Sequence, residues 1–162
     1  SASDYQRVSV GFDTICALNL AEVEHTSAMG LDRLAELARL SCYHKVACMD
    51  GQVVAFLLAM RRGAPYENDN FGWFVQAYSD FLYVDRIVVS PAARGLRLGP
   101  LLYEDLFRYA KANAIPRVTC EYNIQPANEP SRIFHDKFGF KQQAKQWVAN
   151  HTKLVSLQAA EV

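Results

Sequence analysis

The sequence predicts an α/β fold with a mixed sheet, in a single domain that covers residues 1–162. Segments with the periodicity of strands alternate along the chain with segments that have the periodicity of helices. The run VVAFLLAM, residues 53–60, is almost wholly apolar, which predicts a strand buried on both faces. Hydrophobic residues make up 51% of the chain and charged residues 21%, as is usual for a globular domain with a sizeable core.

The other elements follow from the same patterns, taken in order. The predicted strands cover residues 6–10, 45–49, 52–61, 81–89, 117–122, 141–148 and 153–157, and the predicted helices cover residues 13–24, 31–40, 98–109 and 128–139. Asp50-Gly51 predicts a hairpin turn, and Asn128 is a good N-cap for the last helix. Residues 123–126 are predicted as a turn, and the aromatic segment 71–78 as a short helix or a lid.

Charge and cysteine usage narrow the class of protein. Seventeen acidic and seventeen basic residues cancel, so no general attraction to nucleic acid or to a membrane surface is expected. No apolar run reaches the roughly 18 residues that span a bilayer. Four scattered cysteines without a CxxC pair predict buried free thiols and a cytoplasmic location. Cys42, His44 and Cys48 match no zinc spacing, so no metal is predicted.

The segment 81–109 combines a strand, a loop rich in Arg and Gly, and an amphipathic helix. Such a loop delivers unpaired backbone N–H groups and the positive end of the helix dipole to one place, which favours an anion. Arg94 and Arg97 add charge, and Gly95 and Gly99 allow close approach to the backbone. The loop has neither the Gly-Lys-Ser/Thr end of a nucleotide P-loop nor the GxGxxG pattern. A diphosphate cradle is therefore predicted, and a solvated loop is the alternative.

Two motifs in this sequence resemble the GCN5-related N-acetyltransferase (GNAT) superfamily. The family's acetyl-CoA loop, Arg/Gln-x-x-Gly-x-Gly/Ala after a strand and a proline, is matched by the run from Val89 to Gly99, VSPAARGLRLG. A second family motif is matched by the run from Asn128 to Phe140, NEPSRIFHDKFGF. One departure lies in the first motif, where Arg97 stands at the middle glycine.

This resemblance implies a splayed central strand and acetyl-CoA as the cosubstrate. It implies that the backbone of Ile87, Val88 and Val89 pairs with the pantetheine arm. The residues implied in CoA binding are Ile87, Val88, Val89, Arg94, Gly95, Leu96, Arg97, Leu98, Gly99, Pro100, Asn128, Ser131 and Phe134. The implied reaction is transfer of an acetyl group to a primary amine by direct attack, with strand N–H groups near Val88 stabilising the oxyanion.

Three side chains are candidates for proton transfer. Glu121 is the leading general base, because some relatives that acetylate protein N-termini carry a catalytic Glu on this strand, although a strand-end salt bridge is the alternative. Asp85 is the competing base, and strand alternation predicts that Arg86 points away from it. His135 stands where the family often has a Tyr that acts as general acid, and an imidazole with a pKa near 6.5 can donate a proton at neutral pH. Tyr103 and Tyr122 are fallback donors.

The acceptor is not specified by the sequence. Aromatic residues between positions 66 and 83, interleaved with acids, would suit a cationic amine, and the alternative is that these rings close the core or a subunit interface. A small-molecule or amino-acid-like acceptor is expected, no nucleic acid or membrane partner is expected, and a homodimer remains open. The alternative function is a non-catalytic CoA-binding module of the same fold, motivated by Arg97 and His135, and an interaction domain without CoA is the third.

Overall fold

The computed structural model describes residues 5–7 and 29–162 and confirms an α/β fold with a mixed sheet. The strands are β1 (Tyr5–Arg7), β2 (Tyr43–Met49), β3 (Gln52–Arg61), β4 (Leu82–Val89), β5 (Arg117–Gln125), β6 (Lys141–Val148) and β7 (Lys153–Glu161). The helices are α1 (Leu31–Leu40), α2 (Asp69–Ala77), α3 (Leu98–Ala112) and α4 (Glu129–Lys137), with a 3₁₀ turn at Pro91–Ala93. The helix predicted over residues 13–24 lies outside the described residues. No helix in the described part of the chain is long and apolar enough to cross a membrane.

The chain divides into two compact units, of which the first comprises Ser1–Met60 and Val84–Tyr109. Its strands follow the order β1-β2-β3-β4. The β2–β3 hairpin turns at Asp50 and Gly51, whose φ angles of 52° and 77° both lie in the left-handed region that this tight turn requires. Ala55–Met60 are all buried, as predicted for a strand covered on both faces.

Helix α3 is attached to strand β2 within this first unit by tyrosine side chains. The hydroxyl of Tyr43 donates to Asp105 Oδ2 at 2.6 Å, and the hydroxyl of Tyr109 donates to the carbonyl of Cys42 at 3.3 Å. The two tyrosine rings meet edge to face with centroids 5.4 Å apart. The hydrogen bonds of the two tyrosine hydroxyls satisfy polar groups near the core. The helix that follows the loop rich in Arg and Gly therefore has a defined position on this strand.

The second unit comprises Arg61–Tyr83 and Ala110–Val162, with strands in the order β4-β5-β7-β6. Strand β5 pairs antiparallel with β7 along its length, and β7 pairs antiparallel with β6. Strand β4 pairs with β5 in parallel at Leu82↔Val118 and Tyr83↔Thr119. Parallel and antiparallel pairs therefore meet on β5.

Two sequence expectations need correction, and a third is confirmed in one of its two forms. The turn expected at residues 123–126 is limited to Pro126, because β5 continues to Gln125 and its residues Asn123 and Gln125 pair with Val155 and Leu154 of β7. The segment expected as a helix or a lid is helix α2, whose N-cap Asn68 accepts hydrogen bonds from two backbone amides at 3.0 Å. Cys120 is buried as expected, but Cys42 and Cys48 are only half-buried, and Cys16 lies outside the described residues.

Candidate active site

The loop between β4 and α3, in which the anion cradle is expected, begins with the 3₁₀ turn at Pro91–Ala93. After the 3₁₀ turn, the amide of Arg94 donates to Pro91 O and the amide of Leu96 donates to Ala93 O, both at 3.3 Å. Ala93 is buried, and the segment from 94 to 97 is exposed. The buried Ala93 is therefore followed by a segment that solvent, or a ligand, can reach.

Two residues of this loop have left-handed backbone conformations. Gly95 has φ of 92°, and a Cβ built on it meets no atom within 4 Å, so the space beside this glycine is open. Arg97 has φ of 62°, a region that glycine enters freely and other L-residues enter at a cost. Arg97 thus replaces the family's glycine while keeping a backbone conformation that favours glycine.

The first turn of α3 presents backbone donors next to these residues. The carbonyl of Arg97 accepts from the amide of Leu101 at 3.1 Å, which makes Arg97 the residue at which the helix starts. The amides of Leu98 and Gly99 precede the first intrahelical donor, so the helix itself offers them no acceptor. Pro100 has no N–H, which is tolerated at this position. These donors and the two exposed guanidinium groups fit the negative charge of a diphosphate.

Asp85 on β4 makes an ion pair with Arg86, and the expectation that they point apart is wrong. Arg86 Nε lies 2.8 Å from Asp85 Oδ2, with only 12% of the Arg86 side chain and 3% of the Asp85 side chain exposed. The Cβ atoms of these two successive strand residues point to opposite faces, but the long Arg86 side chain bends back to the Asp85 carboxylate. The pair forms because burying two charges costs much less free energy when they are paired. Asp85 therefore has a structural partner in its own strand, which favours Glu121 as the base.

Glu121 on β5 has a tyrosine from β4 as its partner. Tyr83 and Thr119 are register partners, so their side chains share a face, and Glu121 two residues further along β5 is on that face as well. The hydroxyl of Tyr83 donates to Glu121 Oε1 at 2.6 Å. The ring of Tyr83 is 1% exposed. The alternative for Glu121 was a strand-end salt bridge. Instead, Oε1 of Glu121 accepts a short hydrogen bond from a buried phenol.

The aromatic residues between positions 66 and 83 form a packed cluster. Its buried members are Tyr66, Phe71, Phe74, Phe81 and Tyr83. Their ring centroids are between 5.5 and 6.5 Å apart in tilted or edge-to-face pairs. Such distances and angles are those of a close-packed aromatic core. The reading in which these rings close the core is therefore favoured over an aromatic wall that binds the acceptor.

The second motif builds the start of helix α4. Asn128 is the N-cap, and its side-chain oxygen accepts from the amide of Ser131 at 3.2 Å. Ser131 Oγ lies 3.2 Å from His135 Nδ1 one turn later, and the ring of Phe134 meets those of His135 and Phe138 at 5.1 and 5.3 Å. Each of the three residues expected to bind CoA in this motif therefore also has a local structural role.

His135 is buried, and the expectation of an ordinary imidazole pKa is wrong. The side chain packs against Tyr122, Phe134 and Phe140, and burial lowers the pKa of His135 to about 4. Its Nδ1 lies 2.7 Å from the carbonyl oxygen of Ser131. A carbonyl only accepts, so Nδ1 carries the hydrogen of a neutral ring. A neutral imidazole is a weak proton donor at pH 7, which favours the packing alternative for this residue.

His135 and Glu121 lie on opposite faces of β5. The ring of Tyr122 is 5.8 Å from that of His135, and alternation turns Glu121 to the other side of the strand. Burial raises the pKa of Tyr122 above its usual value, with Asp136 adding to the effect, so its hydroxyl stays protonated at neutral pH. The fallback donor Tyr122 is thus beside the motif histidine, and the fallback donor Tyr103 is fully buried in α3.

Sequence reasoning missed Tyr83 as a partner of Glu121. The signal that could have found it is the parallel register of β4 and β5. Only when these two strands are known to pair can Tyr83 be placed beside the strand that carries Glu121. A shallow cleft of about 360 Å³ between residues 64–67 and α2 was also not foreseen, and its walls include Tyr66, Glu67 and Val75. Among the described residues, no group of three or more His, Cys, Asp and Glu is arranged to hold a metal ion.

Comparison with known proteins places this geometry in context. The sequence model of the acetyltransferase (GNAT) family matches residues 14–140. No curated protein sequence matches this chain. Among solved structures, the ribosomal-protein-alanine N-acetyltransferase from Brucella melitensis is similar with a TM-score of 0.73 at 16% identity, covering 98% of this chain and 99% of that one.

Two further structures have the same fold. The ribosomal-protein-S18-alanine N-acetyltransferase from Escherichia coli matches with a TM-score of 0.70 at 12% identity, covering 98% of this chain and 93% of that chain. The NatC complex bound to Gag peptide and CoA matches with a TM-score of 0.73 at 11% identity, covering 98% of each chain. At these identities the likeness is one of fold.

Proposed function

Because this chain belongs to the acetyltransferase (GNAT) family, we propose that it transfers the acetyl group of acetyl-CoA to a primary amine. The proposed acceptor is a small-molecule or amino-acid-like amine, and residues 1–162 are proposed to act as one N-acetyltransferase domain. The observation that supports this most is the loop from Arg94 to Pro100, where two exposed arginines lie beside the amides that begin helix α3, a combination that matches a diphosphate.

We propose that the loop holds the pyrophosphate of acetyl-CoA and that the backbone of Ile87, Val88 and Val89 pairs with its pantetheine arm. The bound cosubstrate supplies a thioester carbonyl carbon that an amine can attack. The likeness to the NatC complex bound to Gag peptide and CoA supports this at the level of fold. Open space beside Gly95 leaves room for a phosphate oxygen to approach the loop backbone.

Glu121 is the proposed general base. An amine with a pKa near 10 is mostly protonated at pH 7, so a carboxylate must accept a proton from it, directly or through water. Backbone N–H groups near Val88 would donate to the carbonyl oxygen as it becomes anionic. The thiolate is a tolerable leaving group, so the neutral state of His135 at pH 7 does not prevent the reaction.

Replacing Glu121 tests this assignment. Glu121→Gln keeps the size of the side chain and removes the base, so turnover at neutral pH should fall about 100-fold or more while CoA affinity stays within about twofold. The measurement is release of the CoA thiol with a panel of amines, together with a calorimetric titration of CoA. Asp85→Asn tests the competing base in the same assay, and it should keep most of its turnover because the Asp85 carboxylate is paired with Arg86. Full turnover of Glu121→Gln would transfer the role to Asp85 or to water.

A further inference from the structure

Tyr83 combines two properties that the proposed mechanism does not yet use. It is fixed by aromatic packing on one side and hydrogen-bonded to the proposed base on the other. Buried tyrosine hydroxyls usually find a partner, and many partners would satisfy one. Here the partner is the carboxylate of Glu121 at 2.6 Å, the short distance typical of a hydroxyl that donates to an ionised acceptor.

The packing around Tyr83 leads back to helix α2. The ring of Tyr83 lies 5.6 Å from Phe71 and 6.0 Å from Phe74, both of which are buried residues of that helix. These contacts restrict the phenol on the side away from the carboxylate. A third ring, Tyr66 from the preceding loop, is 6.5 Å away.

Helix α2 is itself anchored to the sheet of the second unit. Near its start, Asn70 Oδ1 accepts from Gln146 Nε2 at 3.0 Å, and just after its end the Tyr78 hydroxyl donates to Gln143 Oε1 at 3.1 Å. The Tyr78 ring also lies beneath the Arg117 guanidinium at 4.3 Å. The helix therefore has fixed attachments at both ends, and the rings that hold Tyr83 have little freedom to shift.

We propose that Tyr83 is a positioning residue, which fixes the carboxylate of Glu121 for proton transfer and is held in place by helix α2. This deepens the proposed function, since it depends on Glu121 as the base. A glutamate has three side-chain torsions, and a fixed oxygen removes most of their freedom. Misplacement of a catalytic group by about 1 Å can cost about 100-fold in rate, so a group that holds the carboxylate affects kcat without touching the substrate.

The aromatic segment acquires a role from this inference. Its rings support the base through Tyr83 instead of facing the amine. The cluster thus connects a helix in the β3–β4 connection to the chemistry on β5. A substitution in this cluster, at Phe71 or Phe74, would change the position of the Tyr83 phenol and so the position of the Glu121 carboxylate.

The direct test is Tyr83→Phe, which keeps the ring and removes the hydroxyl. We expect kcat to fall about 5- to 20-fold with KM for acetyl-CoA changed less than about twofold, because the base is still present but less well placed. Tyr43→Phe is the matched control, since Tyr43 also donates to a carboxylate at 2.6 Å, on β2 of the first unit and outside the proposed site. Parent-like kcat in Tyr83→Phe, or an equal loss in Tyr43→Phe, would overturn the proposal.

A double variant separates positioning from an independent effect. In Tyr83→Phe/Glu121→Gln, the loss should equal that of Glu121→Gln alone, because Tyr83 has no base left to position. A further 5- to 20-fold loss, roughly the factor of the single variant, would show that Tyr83 acts apart from Glu121 and would refute the inference. Full turnover of Glu121→Gln would instead refute the proposed base, so the two failures are distinguishable.

A readout without turnover completes the test. The carboxyl carbon of Glu121, observed by NMR at neutral pH without substrate, should have a different chemical shift in Tyr83→Phe than in the parent protein. The reason is that the carboxylate accepts a hydrogen bond from the phenol in the parent protein, and the variant lacks this donor. Identical chemical shifts in the two proteins would contradict the hydrogen bond on which the positioning depends.

Discussion

Arg97 gives a prediction whose size follows from one backbone angle. Its φ of 62° places an L-residue in the left-handed region, which costs about 1–2 kcal/mol. Glycine avoids this cost but loses about 0.5–1 kcal/mol through greater freedom of the unfolded chain. Arg97→Gly should therefore exceed Arg97→Ala in the free energy of unfolding by about 0.5–1 kcal/mol, because alanine keeps the unfavourable angle.

Calorimetry of the two variants measures this difference. For a chain of 162 residues, 1 kcal/mol corresponds to about 2–4 °C in Tm, so Arg97→Gly should melt about 1–4 °C above Arg97→Ala. Both variants lack the guanidinium, so the comparison removes the effect of charge. Equal melting temperatures, or a lower one for glycine, would refute the left-handed conformation of Arg97.

The same two variants report on CoA. The Arg97 side chain is exposed next to the amides that start α3, so its charge should add to diphosphate binding. Titration of CoA should then show a similar loss of affinity in both variants, about 3- to 10-fold at low salt and smaller as salt is raised. Unchanged affinity in both would show that the side chain points away from the ligand.

Two further predictions concern helix α4. The pKa of His135 is about 4 in the folded chain and about 6.5 in the unfolded chain. Between these two pH values the unfolded chain binds a proton that the folded chain does not. The free energy of unfolding should therefore fall as the pH is lowered across this window, by up to about 3 kcal/mol. Urea unfolding at about pH 7.5 and about pH 4.5 should show this loss of stability in the parent protein and in the control variant His151→Asn, which replaces an exposed histidine. The loss should be much smaller in His135→Phe. Equal losses in all three proteins would contradict this prediction. Asn128→Ala and Asn68→Ala each remove an N-cap and should each lower Tm by about 2–4 °C, and weaker CoA binding in Asn128→Ala alone is expected if this residue also contacts CoA, as we propose.

Local patterns predicted most of the fold. The hairpin at Asp50-Gly51, helix α1 and the cap at Asn128 depend on residues close together in the chain, and all three are present as expected. The predicted strand 117–122 is shorter than β5, which extends to Gln125. The last residues of β5 are extended because they pair with β7, and not because of their own propensity. Long-range pairing of this kind is not written in the local sequence.

The candidate site was less predictable for a related reason. The Arg/Gly loop could be recognised from its letters, but the conformation of Arg97 could not. The ion pair of Asp85 with Arg86 depends on how a long side chain bends, and the pKa of His135 depends on the rings that bury it. The link between Tyr83 and Glu121 required the register of two strands that are far apart in sequence.

Mass spectrometry of a reaction between this protein, acetyl-CoA and a panel of small amines and amino-acid-like amines tests N-acetyl transfer most directly. We predict at least one amine that gains a single acetyl group, one free CoA for each acetylated amine, and a protein whose own mass is unchanged, as direct attack requires. Saturable CoA binding without acetylation of any amine would contradict acetyl transfer and favour a non-catalytic CoA-binding module.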